Sequence, residues 1–400
     1  MNITQVSLAI RHGGAERIAL DLHRAHREAG HNASLLVGRL NTPEPGALLI
    51  DHTAHRGPIT RALGRIDPRI ARPLQWLKRR RGHDIHDQPA TAQLLNLPPH
   101  PTHVLHLHAL HGGYFDLREL PRLSRDVPTV LTLHDSWMLT GGATHAHRGG
   151  PPSAIAQQNR AIKRRVLADC RLHVAAPSQW MLDQIPGSML EPAVIATHVV
   201  PNNVSPSVFH PNLHPGDRAA ARKRLGLAPN GFRALFVAFA AKPHHPCKDL
   251  TTALHAINAS QTPHLTLDIV GTAGRNTAHL HFHGPVHDRQ RMADHYRAAD
   301  VFIHAAHAEN YPTVILEALA CHTPVIATAV GGIPEQIQHN TTGLLVPPQN
   351  APAMARAIDT LLANPNQRTA MARAIAQRPI HDTAATYRHV YQTAMASPAI

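Results

Sequence analysis

The sequence predicts an α/β protein made of two Rossmann-like, doubly wound domains. Short apolar segments alternate with amphipathic ones along the chain, an order typical of parallel sheets covered by helices. The first such segment is followed by a glycine turn and a helix, as in nucleotide-binding folds. A proline-rich polar block at 205–217 divides the series into two halves of comparable size, and such blocks often separate domains.

The first half begins with a predicted strand at 3–9, followed by a glycine turn at Gly13 and Gly14. An amphipathic helix then continues to Gly30 and leads to a strand at 33–38. The remaining predicted elements are strands at 102–108, 129–134, 172–177 and 197–202 and a helix at 153–168.

The second half repeats this alternation. Its predicted strands are at 234–240, 265–271, 281–284, 300–306, 324–332 and 343–348, and its helices begin near 249, 288 and 313. We therefore expect an N-terminal domain over 1–204 and a C-terminal domain over 205–378. A terminal segment, 379–400, is expected to cross back onto the first domain through a helix at 379–394.

Composition excludes several classes of protein. The chain has 400 residues, 43% apolar and 16% charged, which is too apolar for a largely disordered protein. Its three cysteines are far apart and form no CxxC pair, so neither a disulfide framework nor a zinc site is indicated. No run of about 18 apolar residues occurs. We expect a folded, soluble or peripheral protein of a reducing, cytoplasmic compartment.

The formal charge of +13 is concentrated in one window, residues 56–81, which contains nine basic residues and one acid, Asp67. Trp76 and Leu77 are interleaved with these cations, a pattern typical of segments that lie on an anionic membrane surface. A solvated loop is the alternative. Nucleic-acid binding is disfavoured, because the charge is local, aromatic residues make up 4% of the chain and no recognised motif is present.

Residues 308–337 contain the most informative segment. Glu309 precedes a predicted helix that starts near Thr313, and Glu317 lies within its first turns, so the two carboxylates can hold different parts of one ligand. The helix N-terminus between them offers backbone N–H groups to a phosphate. Residues 301–350 contain no Lys or Arg, and Lys248 and Lys242 are the candidate counter-charges for a diphosphate. Alternatively, both glutamates are solvated residues of an ordinary helix.

Several motifs occur in a characteristic order. They are GGAER at 13–17, VLHLHALHGGYFDLREL at 104–120, TLHDSWMLTGG at 132–142, APSQWM at 176–181 and, in the second half, ENYPTVILE, EALACHTPVIAT, GGIPE and TTGLLVPP. Together they resemble the retaining glycosyltransferases of family 4, which have the GT-B fold, and in particular enzymes of bacterial exopolysaccharide assembly of the colanic-acid type. The resemblance covers most of the chain and implies two Rossmann-like domains that face each other across a cleft.

The resemblance also implies roles for individual residues of the second half. Glu317 would bind the ribose hydroxyls of a nucleotide, Glu309 would touch the transferred sugar, and Lys248 would clamp the diphosphate. Asn310 and Thr313 belong to the same predicted nucleotide-sugar site.

In the first half, Gly13 and Gly14 would let the backbone approach the phosphates, and His134 would lie beside the donor sugar. The catalytic candidates are thus His134 and Glu309. No metal ion is expected, because no DxD pair lies near either loop.

Three departures from the family pattern are visible. An arginine usually stands about five residues before the lysine, where this chain has Pro243, and Lys242 is the candidate substitute. The glycine that commonly follows the lysine is Asp249, so the loop is expected to close differently. Ala143 and histidines replace the cysteines that often follow TGG.

Histidines are numerous, 35 in all, and two groups of them have spacings that could carry chemistry. Asp135 follows His134 and could fix its tautomer or simply end the strand. His103, His106, His108 and His111 are spaced as a metal site could be, but chance spacing is the favoured interpretation in a chain so rich in histidine.

The sequence therefore predicts a retaining hexosyltransferase that uses a nucleotide-diphosphate sugar as co-substrate, with no further cofactor. Its acceptor would be a glycan or a lipid-linked saccharide, such as the polyprenyl-diphosphate-linked sugars of these pathways, at the inner face of the membrane. A GT-B epimerase or hydrolase that turns over nucleotide sugars without an acceptor is the alternative. A nicotinamide enzyme is disfavoured because no GxGxxG follows the first strand.

Overall fold

The computed structural model describes residues 1–10, 13–52, 73–84, 86–145, 153–211, 217–238 and 247–397. Lys242, a candidate of the phosphate site, lies outside the described residues, as do residues 56–72 of the basic window. The chain divides into two compact units. Unit 1 comprises Met1–Asn202 and Asp382–Ile400, and unit 2 comprises Asn203–His381.

Unit 1 is built on a parallel sheet of seven strands within the described residues, in the order β3-β2-β1-β4-β5-β6-β7. The strands are β1 (Asn2–Ala9), β2 (Asn32–Arg39), β3 (Ala47–Leu49), β4 (Val104–His108), β5 (Thr129–Thr132), β6 (Leu172–Ala176) and β7 (Val194–Val199). Strand order reverses between β1 and β4, where doubly wound folds place their ligands.

The described helices of unit 1 that precede the linker are α1 (Gly14–Glu28), α2 (Pro73–Arg80), α3 (Leu120–Asp126), α4 (Ala154–Leu167) and α5 (Gln179–Leu182). Short 3-10 segments span Pro89–Asn96, Leu117–Glu119, Trp137–Leu139 and Glu191–Ala193. Helices cover both faces of such a sheet, so its central strands are buried throughout. All five residues of β4 are buried, including His106 and His108.

Unit 2 has a second parallel sheet, six strands in its described part, in the order β10-β9-β8-β11-β12-β13. The strands are β8 (Phe232–Val237), β9 (Leu265–Val270), β10 (Leu280–Gly284), β11 (Val301–His304), β12 (Val325–Thr328) and β13 (Gly343–Val346). Its switch point lies between β8 and β11, which pair through Ala234–Val301, Leu235–Phe302 and Phe236–Ile303.

The described helices of unit 2 are α6 (Asp217–Arg224), α7 (Leu250–Ala259), α8 (Arg289–Ala298), α9 (Thr313–Ala320), α10 (Ile333–Gln336), α11 (Ala351–Ala363) and α12 (Pro365–Ala376). Helices α11 and α12 were not predicted from the sequence. The side chain of Asn350 accepts a hydrogen bond from the backbone of Ala353, and that of Asn364 accepts one from Gln367. Asparagine caps of this kind satisfy N–H groups at the start of a helix.

The terminal helix α13 (Thr383–Ala396) packs within unit 1. Its Tyr387 and Tyr391 are buried beside Val104 and Val130 of the sheet. The helix was predicted to begin at 379 but begins at Thr383, because the carboxylate of Asp382 accepts a hydrogen bond from Ala385 N and thereby caps it.

The predicted strand at 197–202 is also displaced, since β7 spans Val194–Val199. Pro201 has no N–H to donate to a neighbouring strand, and the ladder ends before it. Within the described residues, no helix combines the length and the apolarity needed to cross a membrane.

Candidate active site

Lys248 is held at the switch point of unit 2 by backbone hydrogen bonds. Residues 247–249, which follow β8 in the chain, run beside residues 305–307, which follow β11, and Lys248 and Ala306 form an isolated antiparallel bridge. The flanking bonds are Asp249 N to Ala305 O, 3.0 Å, and His307 N to Cys247 O, 2.8 Å. This pairing carries Lys248 to the carboxyl edge of the sheet, where ligands bind in open α/β folds.

At that edge Lys248 forms an ion pair with Glu309, in which Nζ donates to Oε1. The side chains are 16% and 13% exposed, so water screens the pair only partly. Burial acts to raise the pKa of Glu309, but Lys248 and His304 more than offset it and hold that pKa well below its usual range. Glu309 is therefore an ionised acceptor of hydrogen bonds at neutral pH.

His304, the last residue of β11, is buried next to Glu309 of this ion pair. Its Nε2 is 3.6 Å from Oε1 of Glu309, and its side chain is 1% exposed. Burial, reinforced by the charge of Lys248, lowers its pKa to about 4, so the imidazole is neutral at pH 7.

Gly331, in the GGIPE segment, lies directly against the backbone of Glu309. A Cβ at this position would be 1.7 Å from the carbonyl oxygen of Glu309, and its φ of +58° falls in the left-handed region. The close contact requires glycine, and the left-handed φ favours it. The two motifs that were recognised separately in the sequence thus form one packed turn.

Helix α9 begins four residues after Glu309, with Pro312 as its N-cap. The amide of Gln336 donates to the carbonyl of Pro312 at 3.1 Å and fixes the turn. Asn310 is buried, at 3% exposure, and Thr313 is half-buried. Backbone N–H groups in the first turn of such a helix carry a partial positive charge.

Glu317 lies one turn further along α9. Its Oε2 accepts a hydrogen bond of 2.8 Å from the hydroxyl of Tyr296, a fully buried residue of α8. Burial and the nearby carboxylate raise the pKa of Tyr296 well above its ordinary value, so the phenol remains a donor. Sequence analysis did not predict Tyr296 as part of the site.

Asp249 has a defined role where the family pattern has glycine. Its Oδ1 accepts from Thr252 N at 3.0 Å and its Oδ2 from Thr252 Oγ1 at 2.6 Å. It is thus the N-cap of α7. The lysine loop closes by capping the next helix, rather than through the conformational freedom of glycine.

In unit 1, His134 follows β5 and is partly exposed. Its Nε2 lies 2.9 Å from Nδ1 of His108, and the two rings stack with centroids 5.2 Å apart. Burial lowers the pKa of His134 to about 4. The sequence suggested Asp135 as the residue that fixes the His134 tautomer, whereas the hydrogen bond found at Nε2 is to His108.

Asp135 instead contacts His111 and the backbone of Trp137, two residues further along the chain. Its Oδ2 is 2.9 Å from Nε2 of His111, and its Oδ1 accepts from Trp137 N at 2.8 Å. Although burial opposes it, the hydrogen bond to Asp135 raises the pKa of His111. A small cavity is lined by Ala109–His111, Leu131–Asp135, Trp137 and Met138.

Helix α4 supports the loop after His134. The ammonium of Lys163 is fully buried, donates to Trp137 O at 2.8 Å and Thr140 O at 3.0 Å, and lies 3.2 Å from Asp84. Burial lowers its pKa to about 8. Asn159, one turn earlier, donates to Gly141 O at 2.9 Å.

The backbone of the loop at Gly141 packs directly against α4. A Cβ there would lie 2.1 Å from Ala156 O of α4. Sequence analysis predicted neither Lys163 nor Asn159, although their spacing of four places both on one helix face.

The remaining predicted residues of unit 1 are placed as follows. Gly13 is the N-cap of α1 and Gly14 its first residue, and β1 ends at Ala9, earlier in the chain. Of the four spaced histidines, His106 and His108 are in the core, His103 contacts Asn2 and His111 contacts Asp135. No group of three or more metal-ligating side chains is found among the described residues.

Two family models match the chain. The model for Glycosyltransferase Family 4 matches residues 12–208, and that for Glycosyl transferases group 1 matches residues 217–378. Among curated proteins, the D-inositol 3-phosphate glycosyltransferase of Geodermatophilus obscurus is 31% identical over 281 residues, which are 64% of this chain and 60% of the relative. That of Kineococcus radiotolerans is 35% identical over 207 residues, 45% of this chain and 47% of the relative. The matches thus span about half of these relatives.

Solved structures show the same fold. Sucrose-phosphate synthase from Thermosynechococcus elongatus superimposes with a TM-score of 0.73 at 19% identity, over 99% of both chains. HepE of Anabaena in complex with UDP has a TM-score of 0.69 at 18% identity, over 98% of this chain and 99% of its own. WaaG, a glycosyltransferase involved in lipopolysaccharide biosynthesis, has a TM-score of 0.63 at 14% identity over 99% of this chain and 100% of its own. These likenesses establish the GT-B fold.

Proposed function

We propose that this chain, which belongs to the glycosyltransferases that join a family 4 domain to a group 1 domain, transfers a hexose from a nucleotide-diphosphate sugar to a saccharide acceptor with retention of configuration. One observation carries the proposal. Lys248 and Glu309 form an ion pair at the switch point of the unit 2 sheet, where such folds bind nucleotides. Glu309 lies four residues before α9 in the chain.

Lys248 and the first turn of α9 would bind the diphosphate. Cleavage of the sugar–phosphate bond builds negative charge on the departing diphosphate, and donors fixed around it favour the transition state over the ground state. A lysine ammonium has three N–H donors, and Glu309 accepts one of them. Lys248 can therefore hold Glu309 in place and still donate to a phosphate oxygen.

Glu309 and Glu317 would hold the two ends of the donor. The low pKa of Glu309 keeps it ionised, so it can accept hydrogen bonds from hydroxyls of the transferred sugar. Each carboxylate has about four acceptor positions, so Glu317 can accept from ribose hydroxyls in addition to Tyr296. Asn310 and Thr313 would complete the donor site.

His134 would act beside the donor sugar, and Gly13 and Gly14 would let the backbone approach the phosphates. In support, His134 is partly exposed and lines a small cavity, and the two glycines form the start of α1. No metal ion is included, and turnover is expected to be equal in EDTA and in magnesium.

For the acceptor, we favour a glycan or a lipid-linked saccharide of bacterial surface or exopolysaccharide synthesis, presented at the inner face of the cell membrane. Helix α2 supports this choice. Trp76 and Leu77 are 41% and 40% exposed, and Arg80 lies 4.8 Å from the Trp76 ring centre. An exposed aromatic residue among cations is typical of segments at an anionic membrane surface. The names of the curated relatives make D-inositol 3-phosphate the second candidate.

The test is a turnover assay with a panel of nucleotide sugars, in which release of the nucleoside diphosphate is measured with and without acceptors. Inositol 3-phosphate and polyprenyl-diphosphate saccharides in anionic vesicles are the two acceptor arms. We expect release that depends on an acceptor and is lost in Lys248→Ala and His134→Ala. Lys223→Ala, at an exposed position of α6, is the control and should retain full activity.

Two other results would contradict the proposal. Turnover that is equally fast without any acceptor would indicate an epimerase or hydrolase. Full activity of Lys248→Ala would remove this lysine from the donor site.

A further inference from the structure

A row of buried hydrogen bonds in unit 1 runs from the backbone of α1 to His134. The amide nitrogen of Gln5 is 3.2 Å from Ala19 O and 3.3 Å from Nε2 of His108. Nδ1 of His108 is in turn 2.9 Å from Nε2 of His134. Gln5 and His108 are both 0% exposed, so water does not compete for these groups.

The orientation of the Gln5 amide follows from its neighbour. A carbonyl oxygen can only accept a hydrogen bond, so the amide group that faces Ala19 O must be the NH₂ and not the oxygen. The same nitrogen also faces His108, and an NH₂ group can only donate. Nε2 of His108 is therefore the acceptor in that contact and carries no proton.

The position of one proton then determines the next. Burial lowers the pKa of His108 well below its usual value, and a neutral imidazole carries a single proton, here on Nδ1. That N–H donates to Nε2 of His134, which must present a lone pair. The pKa of His134 is about 4, so its ring is also neutral at pH 7, and its own proton lies on Nδ1.

We propose that Gln5 and His108 are positioning residues that hold His134 as the Nδ1–H tautomer. The role that this tautomer plays in catalysis rests on the proposed function, whereas the tautomer itself does not. In a transferase, His134 would meet an oxygen of the donor sugar as a hydrogen-bond donor and would not act there as a base.

A second row of hydrogen bonds in the same core provides a control. His106 contacts Thr132 through Nε2 and the hydroxyl of Tyr391 through Nδ1, each at 2.7 Å. Neither bond involves Gln5 or the nitrogens that connect His108 to His134. Tyr391→Phe therefore disturbs a buried histidine next to His108 without changing the donor supplied by Gln5.

The experiment uses the full chain labelled with ¹⁵N-histidine and long-range ¹H–¹⁵N correlation spectra at pH 7, which distinguish protonated from unprotonated ring nitrogens. The spectrum of His134→Gln identifies the His134 signals by their loss. In the wild-type chain we expect a protonated Nδ1 and an unprotonated Nε2. A protonated Nε2 of His134 in the wild-type spectrum would by itself overturn the proposal.

Gln5→Leu removes the donor while keeping a side chain of similar size. We expect His134 to become a mixture of both tautomers in this variant, and Tyr391→Phe to leave the wild-type pattern unchanged. A pure Nδ1–H tautomer in folded Gln5→Leu would show that Gln5 does not determine it.

Kinetics separate this inference from the proposed function. If His134 donates to the sugar, Gln5→Leu should lower kcat about three- to tenfold, the effect of a weakened hydrogen bond, with nucleotide affinity unchanged. A wild-type chain that shows the expected tautomer but transfers no sugar would refute the proposed function and leave the tautomer assignment standing. Unchanged kcat in an active Gln5→Leu variant with mixed tautomers would refute the donor role.

Discussion

Nζ of Lys248 contacts Oε1 of Glu309, although 61 residues separate the two in the chain. The contact exists because the lysine loop and the loop after β11 pair through their backbones at the switch point of one sheet. It joins the proposed diphosphate clamp to the proposed sugar-binding carboxylate. The effects of substitutions at the two residues should therefore not be additive.

This coupling should be measurable in the free energy of unfolding. In a double-mutant cycle of Lys248→Met and Glu309→Gln, followed by urea unfolding, we expect a coupling free energy of about 1–3 kcal/mol. That is less than for a fully buried pair, because both side chains retain some contact with water. Additive losses would show that the ion pair contributes nothing to the folded state.

Tyr296→Phe should weaken donor binding with little effect on kcat. The variant removes the hydrogen bond from the Tyr296 hydroxyl to Glu317, and a hydrogen bond to a charged group is worth about 1.5–3 kcal/mol. We expect the KM for the nucleotide sugar to rise by about tenfold or more. Phe302→Leu, a change of another buried side chain near Tyr296, is the control, and an equal rise in KM there would point to packing alone.

Gly331→Ala should destabilise unit 2 and impair the site. The new methyl group would overlap the carbonyl of Glu309, at 1.7 Å, and the turn must open to admit it. Gly226→Ala is the matched control, since its φ is +69° but nothing lies within 4 Å of the added carbon. We expect the control to lose about 1 kcal/mol from backbone strain and Gly331→Ala to lose clearly more in thermal unfolding. Equal losses would mean that the turn is not closely packed.

Acid should destabilise the fold at pH values above those at which Glu309 is protonated. The pKa of His304 is about 4 in the folded chain against 6.5 when unfolded, so between these values the unfolded chain binds more protons. Stability is then lost as pH falls from 6.5 towards 4, by up to about 1.4 kcal/mol per pH unit for each such histidine. Glu309, whose pKa is lowered from 4.5, adds its own loss only below that value.

His304→Gln isolates one part of this effect, because glutamine does not titrate. Between pH 6.5 and 5, we expect the loss in free energy of unfolding to be smaller in the variant than in the wild-type chain by about 1.5 kcal/mol. An identical loss in both proteins would contradict a neutral, buried His304.

Most of the strands and the motifs of the candidate site could be predicted from the sequence because both have local signals, whereas the short strand β3 was not predicted. Apolar runs and glycine turns indicated the parallel sheets, and Glu309, Glu317 and Lys248 stood in recognisable motifs. Helices α11 and α12 were missed, although asparagine caps at Asn350 and Asn364 mark their starts.

Contacts between distant segments could not be predicted in this way. Tyr296 reaches Glu317 from α8, and Lys163 reaches Trp137 from α4, and neither pair has a spacing that indicates it. His304 occupies a strand position that looks like ordinary core, and its closeness to Glu309 depends on the turn that Gly331 allows. The partner of His134 was likewise set by the pairing of β4 with β5, which aligns His108 with Thr132.

Calorimetric titration of the purified chain with UDP, GDP and ADP tests most directly whether unit 2 is a nucleotide-diphosphate site. The account predicts saturable binding of at least one of them, weakened about tenfold or more in Lys248→Ala and in Glu317→Ala and unchanged in Lys223→Ala. Binding that is equally tight in all four proteins, or no binding of any of the three nucleotides, would contradict it.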